Sequence, residues 1–530
     1  MKAKNWLTAW FVLVILMFTA IGTCVYRVDP FFHYHKPDTS KYFYTIDNQR
    51  SQNDGIEKHF DYDAIITGSS MTQNFKSSEM DEIFGCNSIK VPFSGASFKE
   101  INDNIATALK ANPKVKTVIR GLDVARLADS ADSMRMDLGE YPTYLYDNNP
   151  FNDVNYLLNK DVVFGRVYPM VKGAAKGDEP GITSFDQYSR WQENHTYGIN
   201  SVKEASPDAF PEERTGEVAH LSEEEKETIK ESITLNMTDL ADQHPEVTFY
   251  YFFTPYGAAS WRKQVYIGNI EKRFEIIKYV AELILPHENI RLYSYTDRYD
   301  ITTDLNNYRD QTHYACWVNS LMLKWMHEDV GRLTLDNYQE VLTKDMEFYK
   351  SFDYEALESQ EDYEADNYAG ALLNQELTGA EPMDVLNSDK VSAEFSRATE
   401  LQENGKVSGV SCVGRLDKEP GEDGLGAYLL EKEYIGMKVV LSLEEGHNYL
   451  SFYGQKASES ACGIIYIYGS EGQILDKINA SSGEGDFDRH HYVVDLSAYE
   501  GDITVLFNGG SPDNTGAEDA EYLFSDIVLY

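Results

Sequence analysis

Cysteine is scarce in this chain, with five in 530 residues. Cys24, Cys86, Cys316, Cys412 and Cys462 include no C-x-x-C pair and no histidine-rich neighbourhood, which excludes a zinc-finger or thioredoxin-like reading. A Cys412 to Cys462 bridge stays open. Basic residues are also few, 47 against 87 acidic ones, and the formal charge of −40 repels phosphate polymers. No nucleic-acid partner is expected. The acidity peaks between Asp336 and Asp366 and again near the C-terminus, as a solvated surface would. All six tryptophans (Trp6, Trp10, Trp191, Trp261, Trp317 and Trp325) precede the last part of the chain. No internal repeat is present.

Long apolar runs are rare too, and the one that exists is at the start. From Trp6 to Tyr26 there is no charged residue, and about twenty residues at ~1.5 Å each cross a ~30 Å hydrocarbon layer. Lys2 and Lys4 precede the run and Arg27 and Asp29 follow it, a bias that keeps the short N-terminus in the cytoplasm and exports the rest. A cleaved signal peptide is the competing reading, but no A-x-A-like site is present, and Thr23 is a poor residue before a lipoprotein Cys24. The expectation is an uncleaved single-pass anchor over residues 1–27.

Composition divides the remainder into an α/β body (28–333), an acidic helical connector with a linker (334–390) and a β-rich module (391–530). In the body, Ala64-Ile65-Ile66-Thr67 reads as a strand running into Gly68-Ser69-Ser70, with a short helix near Glu79 to Phe84. A second strand, Ser88 to Val91, runs into Phe93-Ser94-Gly95-Ala96-Ser97, followed by a helix from Phe98 to Ala111 and a third strand from Val115 to Ile119. After an irregular insertion at about 125–219, the spacing predicts a helix (Ser222 to Gln243), a strand (Val247 to Phe253), a helix (Ile270 to Leu285) and a strand (Ile290 to Tyr293). Alternating strands and helices imply a parallel sheet covered on both faces, with its site beyond the strands' carboxyl ends and the insertion overhanging it. From Val391 on, alternation in Ile464 to Tyr468, Tyr492 to Leu496, Ile503 to Phe507 and Ile527 to Tyr530 predicts a β-sandwich.

Ser70 follows the first body strand at a tight turn, where a nucleophile's Oγ would be lifted above the sheet edge. Asp310-Gln311-Thr312-His313 follows the last body strand. A conventionally wound sheet brings the two together, so that His313 takes the proton of Ser70 and Asp310 orients the imidazole. The alternative is that Ser70 merely starts one helix and His313 caps another. Asp123, Trp261 and Tyr308 are candidates for lining the site, with Arg309 beside them, although Trp261, Tyr308 and Arg309 are residues that more often serve as packing or surface. The Tyr141 to Asn149 cluster has groups suited to sugar hydroxyls or to a rigid loop. Tyr453, Tyr466 and Tyr468 would have to supply any sugar-stacking surface of the C-terminal module, unless they pack its strands. Asp495 and Asp526 have calcium-ligand chemistry, but acids are common throughout, and no metal or cofactor is expected.

On these residues, 28–333 resembles the SGNH hydrolase superfamily. Gly68-Ser69-Ser70 matches its nucleophile block, Gly95 its oxyanion glycine and Asp310/His313 its terminal D-x-x-H. Phe252-Phe253-Thr254-Pro255-Tyr256 and Asn307 to Tyr314 are similar to its membrane-anchored bacterial branch, which includes the teichoic acid D-alanyl transfer protein and the alginate-type O-acetylation proteins. The resemblance implies a flavodoxin-like α/β/α domain, and the C-terminal module is similar to jelly-roll carbohydrate-binding modules. It further implies an acyl-enzyme on Ser70, with the N–H groups of Ser70 and Gly95 as oxyanion donors. Where that family supplies an asparagine as a third donor, this chain has Gly121-Leu122-Asp123, and an ionised Asp123 donates nothing. The implied function is an extracytoplasmic serine acyltransferase or esterase acting on a cell-envelope or secreted polysaccharide, with a multipass membrane acyltransferase as a potential partner. The alternative is a non-catalytic envelope protein that binds glycan or such a partner.

Overall fold

Alternate side chains of a strand point to opposite faces of its sheet, so a strand buried at every position needs cover on both sides. In the computed structural model of the protein, Ala64–Thr67 (β1) and Ser88–Lys90 (β2) are buried throughout, and Thr117–Leu122 (β3) and Thr248–Phe253 (β4) nearly so. With Ile290–Ser294 (β5) and Arg332–Leu333 (β6) they form one sheet in the order β2-β1-β3-β4-β5-β6. All pairs are parallel except the last, and Ile65 stands opposite Ile89 on one side and Val118 on the other. The structure describes residues 3–360 apart from 136–140, 148, 178–179 and 192–196, and within 383–529 the strands and short connecting stretches.

The principal helices are Ala3–Val28 (α1), Gln49–His59 (α2), Ser77–Phe84 (α3), Phe98–Ala111 (α4), Tyr168–Lys176 (α5), Glu223–Ile233 (α6), Ala258–Tyr266 (α7), Ile270–Ile284 (α8), Cys316–His327 (α9) and Tyr338–Ser351 (α10). Helix α4 shows why they form where they do. Ser97 Oγ accepts the Glu100 N–H while Glu100 accepts the Ser97 N–H, a capping box, and Phe98, Ile101, Ile105, Ala108 and Leu109 form its buried stripe. Pro113 follows its end.

Helix α10 corrects the expected connector. Its charges made it read as solvated, yet Leu342, Asp345 and Tyr349 are buried, and it packs on α8. Asp345 accepts hydrogen bonds from Thr296 Oγ1 (2.5 Å) and Tyr299 OH (2.8 Å). The body core thus runs on to Leu357. The linker read at 378–382 lies outside the described residues.

Toward the C-terminus, all strand pairs are antiparallel: Met383–Asp384 (β7), Ser392–Arg397 (β8), Gly414–Asp417 (β9), Ala427–Glu431 (β10), Ile435–Leu443 (β11), Tyr449–Lys456 (β12), Ile464–Tyr468 (β13), Ile474–Asn479 (β14), His490–Asp495 (β15), Gly501–Asn508 (β16) and Glu521–Leu529 (β17). One sheet runs β8-β11-β16-β13-β14, the other β9-β10-β17-β12-β15 with β7 beside β17. Alternate residues, among them Val439, Phe452, Ile465, Ile467, Val505 and Phe524, meet in one buried cluster between the sheets. This is a β-sandwich. Cys412 and Cys462, and the side chains of Asp495 and Asp526, lie outside the described residues.

Helix α1 is long and apolar enough to cross a membrane. Most of its surface is exposed, but Val25 and Val28 are buried against the body. The chain then turns at Asp29 (φ 48°), whose carboxylate accepts the N–H groups of His33 (3.0 Å), Tyr34 (2.7 Å) and His35 (3.0 Å) and the hydroxyl of Tyr156 (2.8 Å). Tyr156 OH in turn accepts the Phe31 N–H at 3.1 Å. The exit from α1 is therefore a closed network, because a buried carboxylate is tolerated only when its lone pairs are filled. Asp29→Ala leaves three half-buried N–H groups without their acceptor, and a loss of about 2–3 kcal/mol is expected in denaturant unfolding of the detergent-solubilised chain. A loss below about 1 kcal/mol would show that the turn is held by other contacts.

Candidate active site

At the end of β1 the chain must turn sharply. Gly68 has φ 149°, and a Cβ there would stand 2.7 Å from Thr72 Cγ2, so only glycine makes this turn. Ser69 caps a short 3₁₀ turn, Ser70–Thr72, by accepting the Met71 N–H. Ser70 opens that turn at the carboxyl edge of the sheet. The turn is braced from below, since Tyr314 OH and Asn319 Nδ2 both donate to the Met71 carbonyl (3.0 and 3.2 Å). Lys90 Nζ donates to the carbonyls of Gln73 (2.6 Å) and Phe75 (2.8 Å).

Asp310 and His313 lie in a loop pinched shut by a bridge between Tyr308 and Tyr314, and both tyrosines are buried. Tyr308 OH donates to the Pro255 carbonyl at 2.7 Å. The loop delivers His313 Nε2 to 2.8 Å from Ser70 Oγ, and His313 Nδ1 to 2.7 Å from Asp310 Oδ2. The other carboxylate oxygen, Oδ1, accepts the N–H groups of His313 (2.8 Å) and Thr312 (2.9 Å) and the Thr312 hydroxyl (3.1 Å). Burial pushes the Asp310 carboxyl up, but the hydrogen bonds and charge of His313, with the Thr312 N–H, outweigh it and hold the group well below the usual carboxylate range. An ionised Asp310 places the imidazole proton on Nδ1 and leaves Nε2 to accept from Ser70. The His313 and Asp310 side chains are 27% and 15% exposed, so the pair is reachable from solvent.

The loop after β2 lies alongside, with the Phe93 N–H donating to the Gly68 carbonyl at 2.8 Å. Gly95 has φ 60°, and the Arg135 guanidinium fills the space its Cβ would take. Arg50 and Arg135 donate to the Ser94 carbonyl (3.2 and 3.1 Å) and Arg126 to the Gly95 carbonyl (3.2 Å). A trans peptide holds its N–H opposite its C=O, so pinning the Ser94 carbonyl on two guanidiniums turns the Gly95 N–H away from them. Neither the Gly95 nor the Ser70 N–H has an acceptor among the described residues. These arginines are positioning groups that the sequence reading did not single out.

Asp123 sits at the end of β3, where it accepts from Ser69 Oγ (2.5 Å) and from Tyr256 OH. Both oxygens are thus taken by protein hydroxyls, and they tie the loops after β1, β3 and β4 to one another. As a substrate-lining residue it is corrected to a brace. Trp261 and Tyr308 need the same correction. Trp261 is buried between Phe274 and Tyr349 (ring centroids 4.9 and 5.1 Å apart), and the ring of Tyr308 packs on Gly257.

The aromatic residue that does reach the site is Trp191, from the insertion. Its Nε1–H donates to the Ser70 carbonyl at 3.2 Å, its ring stands edge-on to His313 at 5.5 Å, and the Arg309 guanidinium lies over the ring at 5.6 Å. Nothing in the irregular spacing around it marked it out beyond being the insertion's tryptophan. Next to the Ser94 loop is a cleft of about 520 Å³ lined by Asp47, Arg50, Ser94, Arg135, Tyr141 and Tyr144. In the C-terminal module, Tyr466 and Tyr468 alternate with core residues and so face outward, stacked on each other at 6.3 Å. Tyr453 stacks on His491 (4.5 Å) and has the Arg489 guanidinium over its ring (3.9 Å).

No family model matches the chain. No curated protein matches it. Among solved structures it is similar to a protein provisionally described as a platelet activating factor from Streptococcus pneumonia, at 11% identity and a TM-score of 0.27 over 53% of this chain and 90% of that one. It is also similar to a carbohydrate-binding module, CBM36, solved with calcium and xylotriose, at 13% identity and a TM-score of 0.17 over 26% of this chain and 97% of that one. A third, a CBM4 structure, gives 14%, 0.18, 28% and 93% for the same measures. Likeness at this level assigns neither family nor activity.

Because the folded carboxyl of Asp310 is held below its unfolded value, its contribution to stability is present above about pH 4 and is lost as pH falls below that. Asp310→Asn is expected to flatten this acid limb in urea midpoints measured against pH, and an unaltered limb would contradict the assignment. Trp191→Phe keeps the ring beside His313 and deletes the bond to the Ser70 carbonyl. A drop of about tenfold in the rate at which Ser70 is modified by a serine-directed probe, with unchanged melting, is expected.

Proposed function

We propose that the chain is a serine acyltransferase or esterase that acts, through an acyl-Ser70 intermediate, on O-acyl groups of a cell-envelope or secreted polysaccharide. The observation that carries this reading is the continuous relay from Ser70 Oγ to His313 Nε2 (2.8 Å) and from His313 Nδ1 to Asp310 (2.7 Å). Ser70 Oγ attacks the acyl carbonyl carbon as its proton passes to His313 Nε2. Negative charge collects on the carbonyl oxygen, for which the Ser70 and Gly95 N–H groups are the donors. Collapse breaks the bond to the donor's oxygen, and His313 returns the proton to that leaving group. A sugar hydroxyl or water then repeats the steps in reverse on the acyl-enzyme.

The order β2-β1-β3-β4-β5 is that of flavodoxin-like sheets. It supports placing 28–333 with the SGNH hydrolases, as do the positions of Ser70, Gly95 and His313 at one sheet edge. With α1 as an uncleaved span and the body outside the cytoplasm, the site stays near an acyl donor delivered through the bilayer, for instance by a multipass membrane acyltransferase, and this favours transfer over hydrolysis. The Tyr141 and Tyr144 cleft beside the Ser94 loop suits a sugar acceptor, and the jelly-roll-like module suits a polymer.

A fluorophosphonate probe should label the full chain and spare Ser70→Ala, and His313→Ala should slow labelling by about 10²–10⁴. Equal labelling of wild type and Ser70→Ala would sink the assignment.

One observation favours a second reading, a non-catalytic glycan-binding protein. Asp123, where the resemblance calls for a third oxyanion donor, has both its oxygens accepting from protein hydroxyls, and the lack of one such donor costs ~10²–10³ in rate. Retention of the full chain on immobilised polysaccharide without turnover of any acetyl ester would decide for it.

A further inference from the structure

We propose that residues 151–176 of the insertion lie in the bilayer interface beside α1, so that the body rests on the membrane by an apolar face as well as hanging from a helix. The inference rests on reading α1 as a membrane span.

In this segment large apolar side chains point to solvent: Phe151 is 89% exposed, Phe164 68%, Tyr168 58% and Val154 51%. Exposed aromatics on this scale are unusual on a soluble surface when they are grouped. They lie close together along the chain: Phe151 stands just before the short helix Val154–Leu157 that Val154 opens, Phe164 lies in the wide turn Val163–Val167, and Tyr168 opens helix α5.

Helix α1 packs against the first two of these elements. A Cβ on Gly22 would stand 3.8 Å from Leu157 Cβ. Gly22 lies six residues before Val28, or ~9 Å short of the end of the span at ~1.5 Å per residue. The Asn5–Val28 stretch exceeds the ~20 residues a ~30 Å layer needs by about one turn, so its last turn sits among headgroups and Leu157, beside Gly22, at the boundary with the hydrocarbon layer. The apolar face is thus continuous with the anchor at the depth where aromatic and amphipathic groups settle.

Charge points the same way. In a chain of formal charge −40, residues 151–176 carry four basic side chains (Lys160, Arg166, Lys172 and Lys176) and two acidic ones (Asp153 and Asp161). Asp153 is turned inward onto Tyr34 OH (3.0 Å) and His33. Lys160, Lys172 and Lys176 are exposed, placed to reach headgroups while their stems lie along lipid. The face is held against the exit of α1 through Tyr156 and Asp29, and against the body through Arg166, which pairs with Asp47 at 2.7 Å.

The test is photo-crosslinking of the full chain in vesicles of phosphatidylcholine and phosphatidylglycerol. Phe164→p-benzoylphenylalanine and Tyr168→p-benzoylphenylalanine are compared with the same replacement at Phe11, inside α1, and at Leu335, which is 59% exposed just after the edge strand β6. Adducts of phospholipid mass are expected at 164 and 168 within about twofold of the yield at 11, and not at 335. Lipid adducts at 11 joined by only protein adducts at 164 and 168, whether to a second copy or another protein, would overturn the proposal. So would no adduct at 164 and 168. Absence of lipid adducts at 11 would remove its premise.

Discussion

The parallel pairing of β1 with β2 and β3 is the constraint on which the rest depends. It sends the ends of three strands to one edge, so the loops Gly68–Ser70, Phe93–Ser97 and Leu122–Asp123 become neighbours although they are distant in sequence. Hydrogen bonds then turn proximity into geometry: Phe93 N–H to the Gly68 carbonyl, and Ser69 Oγ to Asp123. Slipping the β1/β3 register by one residue would turn every side chain of the strand to the opposite face and move Ser70 away from His313.

At this edge Lys90 and Glu100 are buried and the arginines around them half-buried, and their hydrogen bonds make the site stiff. Glu100 answers Arg50, the Arg135 N–H and its own capping box, while Arg50 and Arg135 hold the Ser94 carbonyl. Lys90 is spent on carbonyls of the segment that follows Ser70. Removing any one member leaves a charge or a carbonyl without its partner in a low-dielectric setting, so these side chains act as a unit.

The strands and the helices with sharp caps were legible because their signals are local. Ala64 to Thr67, Phe98 to Ala111 and Ile464 to Tyr468 appear where apolar period, cap and turn residues put them. Ser70 and the Asp310/His313 pair were legible as placements at strand ends. The supporting cast was not. Trp191 reaches Ser70 from an insertion with no period to read, and Asp123 is matched to Ser69 and Tyr256 by tertiary contact alone. Burial also defeated composition in both directions. Trp261 and Tyr308, candidates for lining a cleft although packing is the commoner role of such residues, are core, whereas the charged helix Tyr338–Ser351 hides Leu342 and Tyr349 behind its acidic face. In the C-terminal module the alternating tyrosines Tyr466 and Tyr468 take the outer positions because isoleucines fill the inner ones.

The closed turn at Asp29 has a consequence for how the protein meets anything it acts on. A flexible stalk would let the body swing through a hemisphere and search in three dimensions. A turn in which one carboxylate gathers three backbone N–H groups and a tyrosine hydroxyl removes that freedom. With α1 in a bilayer, Ser70 moves in a plane at nearly constant height, its encounters are set by lateral diffusion, and only groups that pass through that thin layer come within its reach.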